Sequence, residues 1–583
     1  APGSVKNIFK LTPARLKPFR YNVKNTDAKP RQLTLIHPIQ QLNFVEFYEK
    51  YSSSILYLCS RSGISLRHPE KIASTYYWPE ELPKEDASGE ASSIQALSSY
   101  FTYYKYRRPH TFHQSKELIE LEKKFKKMTS LDISKCFSSI YTHSIAWAVK
   151  GIHNSKRNKD GSSFELEFDR LMQRSNYNET NGIPIGPETS RIFAEIILQS
   201  IDINIRHELG QDTKSYEIRR YVDDYYIFTN DDNTKKKVIR AIELCLGEYN
   251  LYINETKTLD IERPFLTQTS VAIYKVKEYF NELNNILFFK GPRNEHIQIL
   301  HSALGRNSPS NKIKTILKAS GTSYTEISKY AITALRGTIS RLCSYLNSIN
   351  SGEDYIAVIQ ESVLEIIDFL WFIYSMDIRT GNTVIICEII TSLVDRSKSW
   401  DIELSFKIHE KNYLNLCDIL CSEEAKAYDG VDALNLLIAA NKLPKSLKIK
   451  EELLSSIFSS SKMLNYFQIT ALLNYIKRDS SYSNIRIRIY HDVYENCTSE
   501  EHGPFSATAF MLFFDYISCP YVSVIKKRKL VNDFYAEISN TKLSESDINE
   551  AINFIKKHRW FVDWKANEKL KIIYLTKNLR QPY

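Results

Sequence analysis

The sequence predicts an α+β N-terminal part followed by a large all-α C-terminal part. In the first half, short apolar runs end in acidic or glycine-containing turns, which is typical of strands and hairpins between helices. From about residue 290 onward glycine and proline are sparse, and apolar residues recur with helical spacing at Val363, Ile366, Ile367, Leu370 and Tyr374. The chain has 583 residues, too many for one hydrophobic core, so we expect two or more domains.

Residues Tyr221–Phe228 read Tyr-Val-Asp-Asp-Tyr-Tyr-Ile-Phe, with two adjacent acids between apolar, aromatic-rich runs. This pattern predicts a short β-hairpin with Asp223 and Asp224 at its tip. Neighbouring carboxylates repel each other unless a cation neutralises them, so the pair indicates a divalent metal site. Taken alone, the segment fits a solvated acidic turn equally well.

A third acid, Asp132, lies in a matching context upstream. Leu131 and Ile133 predict a strand that emerges from a core, with Asp132 near its end. Asp132, Asp223 and Asp224 would together complete a carboxylate set for two Mg²⁺ ions about 3.5–4 Å apart, the arrangement used for in-line phosphoryl transfer. Mg²⁺ suits such a set because it binds through a few carboxylates plus substrate phosphate oxygens.

Two further segments accompany the acids. Residues 181–191 (Asn-Gly-Ile-Pro-Ile-Gly-Pro-Glu-Thr-Ser-Arg) predict a turn around Pro184 and Gly186, followed by the start of a helix. Residues 251–258 (Leu-Tyr-Ile-Asn-Glu-Thr-Lys-Thr) follow the acidic hairpin and carry Lys257. Each segment alone is weak evidence, but the order and spacing of all four are informative.

These four segments resemble the A, B, C and D motifs of a reverse transcriptase palm. The A-like segment reads Leu-Asp-Ile-Ser-Lys-Cys-Phe, and the C-like segment contains Tyr-Val-Asp-Asp. The resemblance implies that Asp132, Asp223 and Asp224 are catalytic, and that they bind the metals together with Ile133. It also implies Mg²⁺ as the cofactor, for which Mn²⁺ can substitute.

The resemblance assigns further residues to the nucleotide. Phe137 stands five residues after Asp132, where the family places a ring against the ribose 2′-OH, so it implies synthesis of DNA from dNTPs. A core aromatic is the simpler alternative for Phe137. Pro184 and Gly186 would support the template and the incoming nucleotide. Lys257 would act as a catalytic cation near the leaving pyrophosphate, stabilising its charge or donating a proton.

A basic and aromatic segment, residues 103–110 (Tyr-Tyr-Lys-Tyr-Arg-Arg-Pro-His), precedes the first acid. Lys105, Arg107 and Arg108 fit the family's triphosphate-binding segment, because ammonium and guanidinium groups pair readily with phosphate oxygens. The same composition suits a general nucleic-acid surface with stacking rings. Both interpretations stay open.

Two features narrow the resemblance. Ile185 stands where most reverse transcriptases carry Gln in motif B, and residues 141–147 (Tyr-Thr-His-Ser-Ile-Ala-Trp) follow the A-like segment closely. Both are similar to bacterial abortive-infection and defence-associated reverse transcriptases, which act against bacteriophage. The resemblance implies a fingers–palm core over residues 5–290. It further implies a large, repeat-like α-helical domain over residues 291–583, which replaces the thumb and guides the product or supports oligomerisation.

The implied partners are dNTPs and a DNA product, and some relatives start synthesis without a template from a tyrosine of the enzyme. RNA, a second copy of the chain and a second reverse transcriptase are further candidate partners. Three alternatives stay open: a conventional RNA-templated enzyme bound to a dedicated RNA, one subunit of a two-polymerase defence system, and a non-catalytic nucleic-acid-binding scaffold. The retained acids argue against the scaffold, and Ile185 argues against the conventional enzyme.

Composition adds few constraints. The net charge of +10 permits nucleic-acid binding without requiring it. Nine scattered cysteines without a Cys-x-x-Cys pair, and no visible signal peptide or membrane-spanning run, predict a cytoplasmic protein with no membrane partner. The resemblance implies that this cytoplasm is bacterial. Arg486 and His491 have a spacing that resembles HEPN-type ribonucleases, although an amphipathic strand or helix edge explains it more simply.

Overall fold

The structure, a computed structural model, describes residues 16–26, 29–73, 100–106, 108–157, 162–210, 214–289, 308–347, 353–459, 461–499, 505–539 and 542–565, with a few single residues outside these segments. The described chain folds as an α+β part followed by a large all-α part, which confirms the predicted fold class.

The first part contains all the strands and nine helices of the described residues. The strands are β1 (Phe19–Thr26), β2 (Lys29–Leu35), β3 (Pro69–Ile72), β4 (Phe101–Tyr103), β5 (Lys127–Asp132), β6 (Tyr216–Tyr221), β7 (Asp224–Thr229) and β8 (Leu259–Glu262). The helices are α1 (Pro38–Leu58), α2 (Pro109–His113), α3 (Lys116–Lys124), α4 (Cys136–Ser139), α5 (Ser144–Lys150), α6 (Ile152–Arg157), α7 (Phe164–Ser175), α8 (Glu188–Leu209) and α9 (Asp232–Gly247).

A four-stranded antiparallel sheet in the order β6-β7-β5-β8 forms the centre of this part. Along β7, Tyr225 and Ile227 point into one hydrophobic core, whereas Tyr226 and Phe228 point into another on the opposite face. Because both faces of the sheet are covered, residues 225–228 of β7 are all apolar or aromatic instead of alternating with polar residues. The predicted strand ending at Asp132 and the predicted hairpin are both present.

The second part is helical throughout its described residues. Its helices are α10 (Gln268–Leu287), α11 (Ser308–Ser320), α12 (Tyr324–Leu346), α13 (Glu353–Ser375), α14 (Thr380–Ser397), α15 (Ile402–Cys421), α16 (Glu423–Lys426), α17 (Val431–Ala440), α18 (Glu451–Ile457), α19 (Tyr466–Ile476), α20 (Ser483–Thr498), α21 (Ala507–Ser518), α22 (Val524–Ser539) and α23 (Glu545–Lys557).

Most of these helices pack in two parallel rows. One row runs through α10, α12, α14, α17, α19, α21 and α23, and the other through α11, α13, α15, α18, α20 and α22, each helix contacting the next in its row. Such stacking buries a continuous apolar core between the rows, as in helical-repeat proteins. The sequence has no fixed-period repeat, because the helices and links differ in length.

The two parts share one hydrophobic core at their junction. Helix α10 buries Ala272 and Val276 in the core of the C-terminal helices, and Phe19 on β1 belongs to the same core. The Phe19 ring lies 5.0 Å from that of Phe467 on α19. The predicted division between residues 290 and 291 stays a prediction, because packing joins the segments on either side of it.

Two helices of the second part have well-defined starts. Helix α18 begins at Glu451, after a short 3₁₀ turn at Lys445–Leu447. Helix α19 begins at Tyr466, because the Asn465 side chain accepts a hydrogen bond from the Gln468 N–H and caps the helix. Within the described segments, none of the helices combines the length and the hydrophobicity needed to cross a bilayer.

Candidate active site

The acidic hairpin closes with a two-residue turn at Val222 and Asp223, because Tyr221 on β6 pairs with Asp224 on β7. Val222 has a φ of 57°, in the left-handed region that β-branched residues rarely adopt. A conformation of this kind costs about 1–3 kcal/mol and is found mainly at functional sites. The guanidinium of Arg220 holds the turn, donating from Nη1 to the Val222 carbonyl oxygen at 2.8 Å.

The three predicted acids lie together at one end of the sheet. Asp132 on β5 is the direct register partner of Asp224 on β7. The N–H of Ile133 donates to the carbonyl oxygen of Asp223 at 3.2 Å, which fixes the turn against the end of β5. The Ile133 side chain is buried, so its main-chain carbonyl is the only part of it suited to a metal.

The electrostatics of this cluster are those of unneutralised carboxylates. Burial, together with the carboxylates of Asp223 and Asp132, raises the pKa of Asp224 to about 7. Burial and Asp132 also raise the pKa of Asp223. A divalent cation would relieve this repulsion, so the acids fit such an ion.

The acids form an open ligand set. In the part of the chain that the structure describes, no group of three or more His, Cys, Asp or Glu side chains is placed so that it could hold a metal ion by itself. Mg²⁺ is typically held by one or two carboxylates, with water and substrate phosphates completing its octahedron. The arrangement therefore suits an ion that arrives with a nucleotide better than a structural ion.

The D-like segment lies directly beside Asp132. Ile253 and Ile133 form an antiparallel bridge, and Asn254 donates from Nδ2 to Asp132 Oδ2 at 3.2 Å. The Lys257 Nζ lies 3.0 Å from the same carboxylate oxygen, although 64% of its side chain is exposed. An exposed ammonium group bound to Asp132 can exchange this partner for a substrate phosphate at small cost.

Phe137, the last residue of the A-like segment, lies in α4. Its half-buried ring packs against both hydrophobic cores that cover the faces of the central sheet. The B-like loop docks on it: the Ile183 N–H donates to the Phe137 carbonyl oxygen at 2.9 Å. Gly182 makes this approach possible, because a Cβ there would lie 3.0 Å from the Ser138 carbonyl oxygen and φ is +86°. Pro184, the next residue of the loop, is buried.

The other end of the B-like loop is covered by strand β2. The Thr34 N–H donates to the Ile185 carbonyl oxygen at 2.8 Å. A Cβ on Gly186 would meet the Thr34 carbonyl oxygen at 3.6 Å and the Leu33 side chain at 3.8 Å. The N-terminal hairpin is therefore in contact with the loop that carries Ile185, which the sequence did not predict.

Of the predicted triphosphate-binding cations, Lys105 is paired with an acidic side chain. Lys105 Nζ pairs with Glu117 Oε2 at 2.7 Å, and Arg219 Nε donates to the other oxygen of Glu117, also at 2.7 Å. Arg108 lies at the N-terminus of α2. Arg107 lies outside the described residues. A role for these cations in triphosphate binding stays a prediction.

A buried ion-pair network beneath the acidic turn was missed by sequence reasoning. Arg220 is fully buried and donates from Nη1 to Glu195 Oε2 at 2.9 Å and from Nη2 to Asp202 Oδ2 at 2.8 Å. The Tyr225 hydroxyl donates to Asp202 Oδ1 at 2.8 Å. Glu195 and Asp202 are seven residues apart in α8, which places them on one face of the helix among buried apolar residues and is the signal that could have revealed the network.

The nuclease-like spacing of Arg486 and His491 has a structural explanation. Both residues lie on α20, where five residues put them on different faces of the helix. Arg486 donates to the carbonyl oxygens of Lys477 and Asp479, at 2.7 and 2.9 Å, and so satisfies the end of the preceding helix. The His491 side chain is 70% exposed and lies 3.2 Å from the carboxylate of the neighbouring Asp492.

Comparison with known proteins gives one family match. Residues 93–271 match the family described as reverse transcriptase (RNA-dependent DNA polymerase), a segment that includes all four palm-like motifs. This matched segment precedes the large helical region. No curated protein sequence matches the chain.

Solved structures of telomerases are similar to the chain at low identity. Telomerase from Candida albicans, in complex with the TWJ fragment of telomeric RNA, is 11% identical, with a TM-score of 0.27 over 63% of this chain and 66% of that chain. Apo telomerase from Candida tropicalis is 11% identical, with a TM-score of 0.29 over 67% of this chain and 69% of that chain. The chain thus spans slightly less than two thirds of the first of these proteins.

Proposed function

We propose that the chain is a DNA polymerase of the reverse transcriptase type that adds dNTPs by metal-assisted phosphoryl transfer and acts in defence against bacteriophage. The observation that carries the polymerase is the meeting of Asp132, Asp223 and Asp224 at one end of the sheet within the matched domain. The defence role rests on Ile185 in the B-like loop and on the segment that follows the A-like motif.

In this proposal Asp132, Asp223 and Asp224 would hold two Mg²⁺ ions, or Mn²⁺ in their place. When bound, such ions activate the attacking hydroxyl and neutralise charge on the phosphates. The palm residues contribute mainly positioning and electrostatics, since no side chain forms a covalent bond to the nucleotide being added to an existing 3′-OH. Lys257, next to Asp132, would neutralise the leaving pyrophosphate or donate a proton to it.

The Phe137 ring would exclude a ribose 2′-OH from the site. Phe137→Ala should therefore let ribonucleotides compete with dNTPs, because the ring is half-buried and borders the B-like loop. Phe137→Tyr keeps the ring and should preserve discrimination. The measurement is the ratio of kcat/KM for dNTP and rNTP incorporation. An unchanged ratio in Phe137→Ala would make Phe137 a core aromatic only.

We further propose that synthesis needs no supplied template and starts from a protein hydroxyl. This rests on Ile185 in place of Gln and on strand β2, which covers the same loop. Tyr225 and Tyr226 are unsuited as primers, because both are buried and burial raises the pKa of each hydroxyl. Tyr583, another candidate primer, lies outside the described residues.

The deciding experiment incubates the purified chain with Mg²⁺ and labelled dNTPs, without template or primer, beside Asp223→Ala. Labelled product that shifts after protease treatment and is absent from Asp223→Ala would support protein-primed, template-independent synthesis. Label that requires added RNA and a primer would support a conventional RNA-templated enzyme. A requirement for a co-purifying polymerase would support the two-polymerase system, and no label under any condition would favour the scaffold.

A further inference from the structure

Residues 62–66, which connect helix α1 with strand β3, run alongside the end of β6. The Arg220 N–H donates to the Ile64 carbonyl oxygen at 3.0 Å, and the Leu66 N–H donates to the Arg220 carbonyl oxygen at 2.7 Å. Between these two bonds, Ser65 and Arg220 form a parallel bridge. The segment therefore fixes the main chain of Arg220 just before the acidic turn.

The same segment also contacts the acids that bind the Arg220 side chain. Ser62, which is buried, donates from Oγ to Asp202 Oδ2 at 3.0 Å, and its N–H donates to Gln199 Oε1 at 2.6 Å. The Gln199 side chain in turn donates from Nε2 to Glu195 Oε1 at 2.8 Å. Both acids of α8 are thus oriented by hydrogen bonds that start at Ser62.

The Arg220 guanidinium has one orientation that satisfies all of these neighbours. Nε and Nη2 donate to Asp202, Nη1 and Nη2 donate to Glu195, and the second donor of Nη1 reaches the Val222 carbonyl oxygen. These five contacts use the five N–H donors of the planar group. An ammonium group in its place could balance both acids, but it lacks the rigid fork that extends to Val222.

The contact with Val222 matters because the acidic turn is strained. Val222 keeps a φ of 57°, a conformation that persists only when the surroundings hold it. The carbonyl that Arg220 binds lies directly before Asp223 in the chain. Metal ligands must be held within about 0.5 Å of their productive positions, so a turn that relaxes would misplace the carboxylates of Asp223 and Asp224.

Building on the proposed polymerase function, we propose that Arg220 and Ser62 are positioning residues for nucleotide transfer. Both are buried and act through other residues, so neither contacts the nucleotide. Arg220 acts through the Val222 carbonyl and keeps the turn in the geometry in which its acids bind metal ions. Ser62 acts through Asp202, which it holds in the orientation that the guanidinium requires.

Two conservative variants separate positioning from charge balance. Arg220→Lys keeps a cation between the acids and removes the fork, whereas Ser62→Ala leaves the ion pairs intact and removes one hydrogen bond. The matched control for the first is Arg219→Lys, because the Arg219 guanidinium pairs with acids at the edge of the sheet. The control for the second is Ser60→Ala, because the exposed Ser60 hydroxyl donates only to main-chain carbonyls of α1.

Three measurements are made on each chain. Electron paramagnetic resonance gives the Mn²⁺ affinity of the nucleotide-free protein, which does not depend on turnover. Steady-state incorporation at saturating Mn²⁺ gives kcat and the KM for a dNTP. Thermal unfolding verifies that the fold is retained.

Arg220→Lys should lower kcat by about 10²-fold, the usual effect of misplacing catalytic groups by about 1 Å, and should weaken Mn²⁺ binding with a smaller change in KM. Ser62→Ala should lower kcat and Mn²⁺ affinity by roughly fivefold, as expected for one lost hydrogen bond. In the double variant, Ser62→Ala should add little to Arg220→Lys, because both act through the same guanidinium. The two controls should behave like the wild-type chain.

Wild-type Mn²⁺ affinity and kcat in a folded Arg220→Lys protein would overturn the inference. If Arg220→Lys does not fold, Ser62→Ala decides, and wild-type values in that variant overturn it. Fully additive losses in the double variant would show that Ser62 does not act through Arg220. A wild-type chain that binds Mn²⁺ but transfers no nucleotide overturns the proposed function alone, because the Mn²⁺ affinities of the variants still test the positioning. A wild-type chain that binds no Mn²⁺ overturns both.

Discussion

Two groups of acidic side chains, one at the tip of the β6–β7 hairpin and one on helix α8 beneath it, differ in how their charge is balanced. Glu195 and Asp202, beneath the hairpin, share the fully buried guanidinium of Arg220. Asp223 and Asp224, at its tip, keep raised pKa values through burial and neighbouring carboxylates, although the charge of Lys257 opposes the rise at both acids and that of Arg31 opposes it at Asp223. The first group resembles a structural ion pair, whereas the charge of the second is only partly offset by the protein.

The comparison teaches that the balance of charge, and not the presence of acids, separates the structural cluster from the candidate active site. A buried charge is normally paired within the protein, because leaving it unpaired costs several kcal/mol. Carboxylates whose pKa values stay raised beside a strained turn therefore indicate a ligand that the chain does not itself supply. The tests below alter one group or the other, from the largest expected effect to the smallest.

Removing a carboxylate from the tip of the hairpin should have the largest effect on activity. We expect Asp223→Asn to lower the rate of nucleotide transfer by about 10³-fold or more, because the metals would lose a shared ligand. Thermal stability should stay equal or rise, since a repelling charge is removed. The control is Asp232→Asn, an exposed acid just after β7, which should keep normal activity. Nucleotide transfer at the wild-type rate by Asp223→Asn would show that this acid is not part of the catalytic site.

Breaking the paired group should instead affect folding. Arg220→Met leaves Glu195 and Asp202 buried without their guanidinium, and should lower the free energy of unfolding by about 3–5 kcal/mol. Denaturant unfolding measures this loss. Arg219→Met is the matched control, because its neighbouring guanidinium pairs at the edge of the sheet with Glu117 and Glu217 and should matter much less. An equal loss of unfolding free energy in both variants would show that the buried pairing of Arg220 is no more important than the pairing of Arg219.

Lys257 tests the exposed cation beside the acids. Lys257→Ala should lower kcat by about 10²-fold with a smaller change in dNTP affinity, because its charge acts on the leaving pyrophosphate. Its exposed contact with Asp132 should contribute less than about 1 kcal/mol to stability. Single-turnover kinetics and thermal unfolding measure the two quantities, with Lys235→Ala as a surface-lysine control. An unaffected kcat would make Lys257 an ordinary surface lysine.

Acidic pH should weaken metal binding by protonating the Asp224 carboxylate at the tip of the hairpin. Because the pKa of Asp224 is raised to about 7, the Mg²⁺ concentration for half-maximal transfer should rise up to about tenfold per pH unit below pH 7. In the metal-free protein, acidic pH should instead increase the stability of the fold. A raised folded-state pKa in an acid stabilises the fold at low pH, and this contribution is lost as pH rises through 7. Asp224→Asn should flatten both profiles, and a pH-independent Mg²⁺ requirement would contradict the assignment.

The sequence was sufficient for the fold class and for bringing the palm-like motifs to one site, because each depends on local patterns. Adjacent acids between aromatic runs specify a hairpin, and Gly182 and Pro184 specify the loop that docks beside it. The partner of Lys105 could not be predicted, since Glu117 reaches it only through the tertiary fold. The same reason hid the contact between β2 and the B-like loop, which joins residues about 150 positions apart.

The pairing of the N-terminal segment with α21 sets the order in which the molecule can be completed. The Lys17 N–H donates to the Phe505 carbonyl oxygen, and the Ala507 N–H donates to the Lys17 carbonyl oxygen. A growing polypeptide makes residue 17 long before residue 507, and at about 5–20 residues per second the interval is on the order of half a minute or more. The segment that leads into the β1–β2 hairpin can therefore pair with α21 only after most of the chain has left the ribosome.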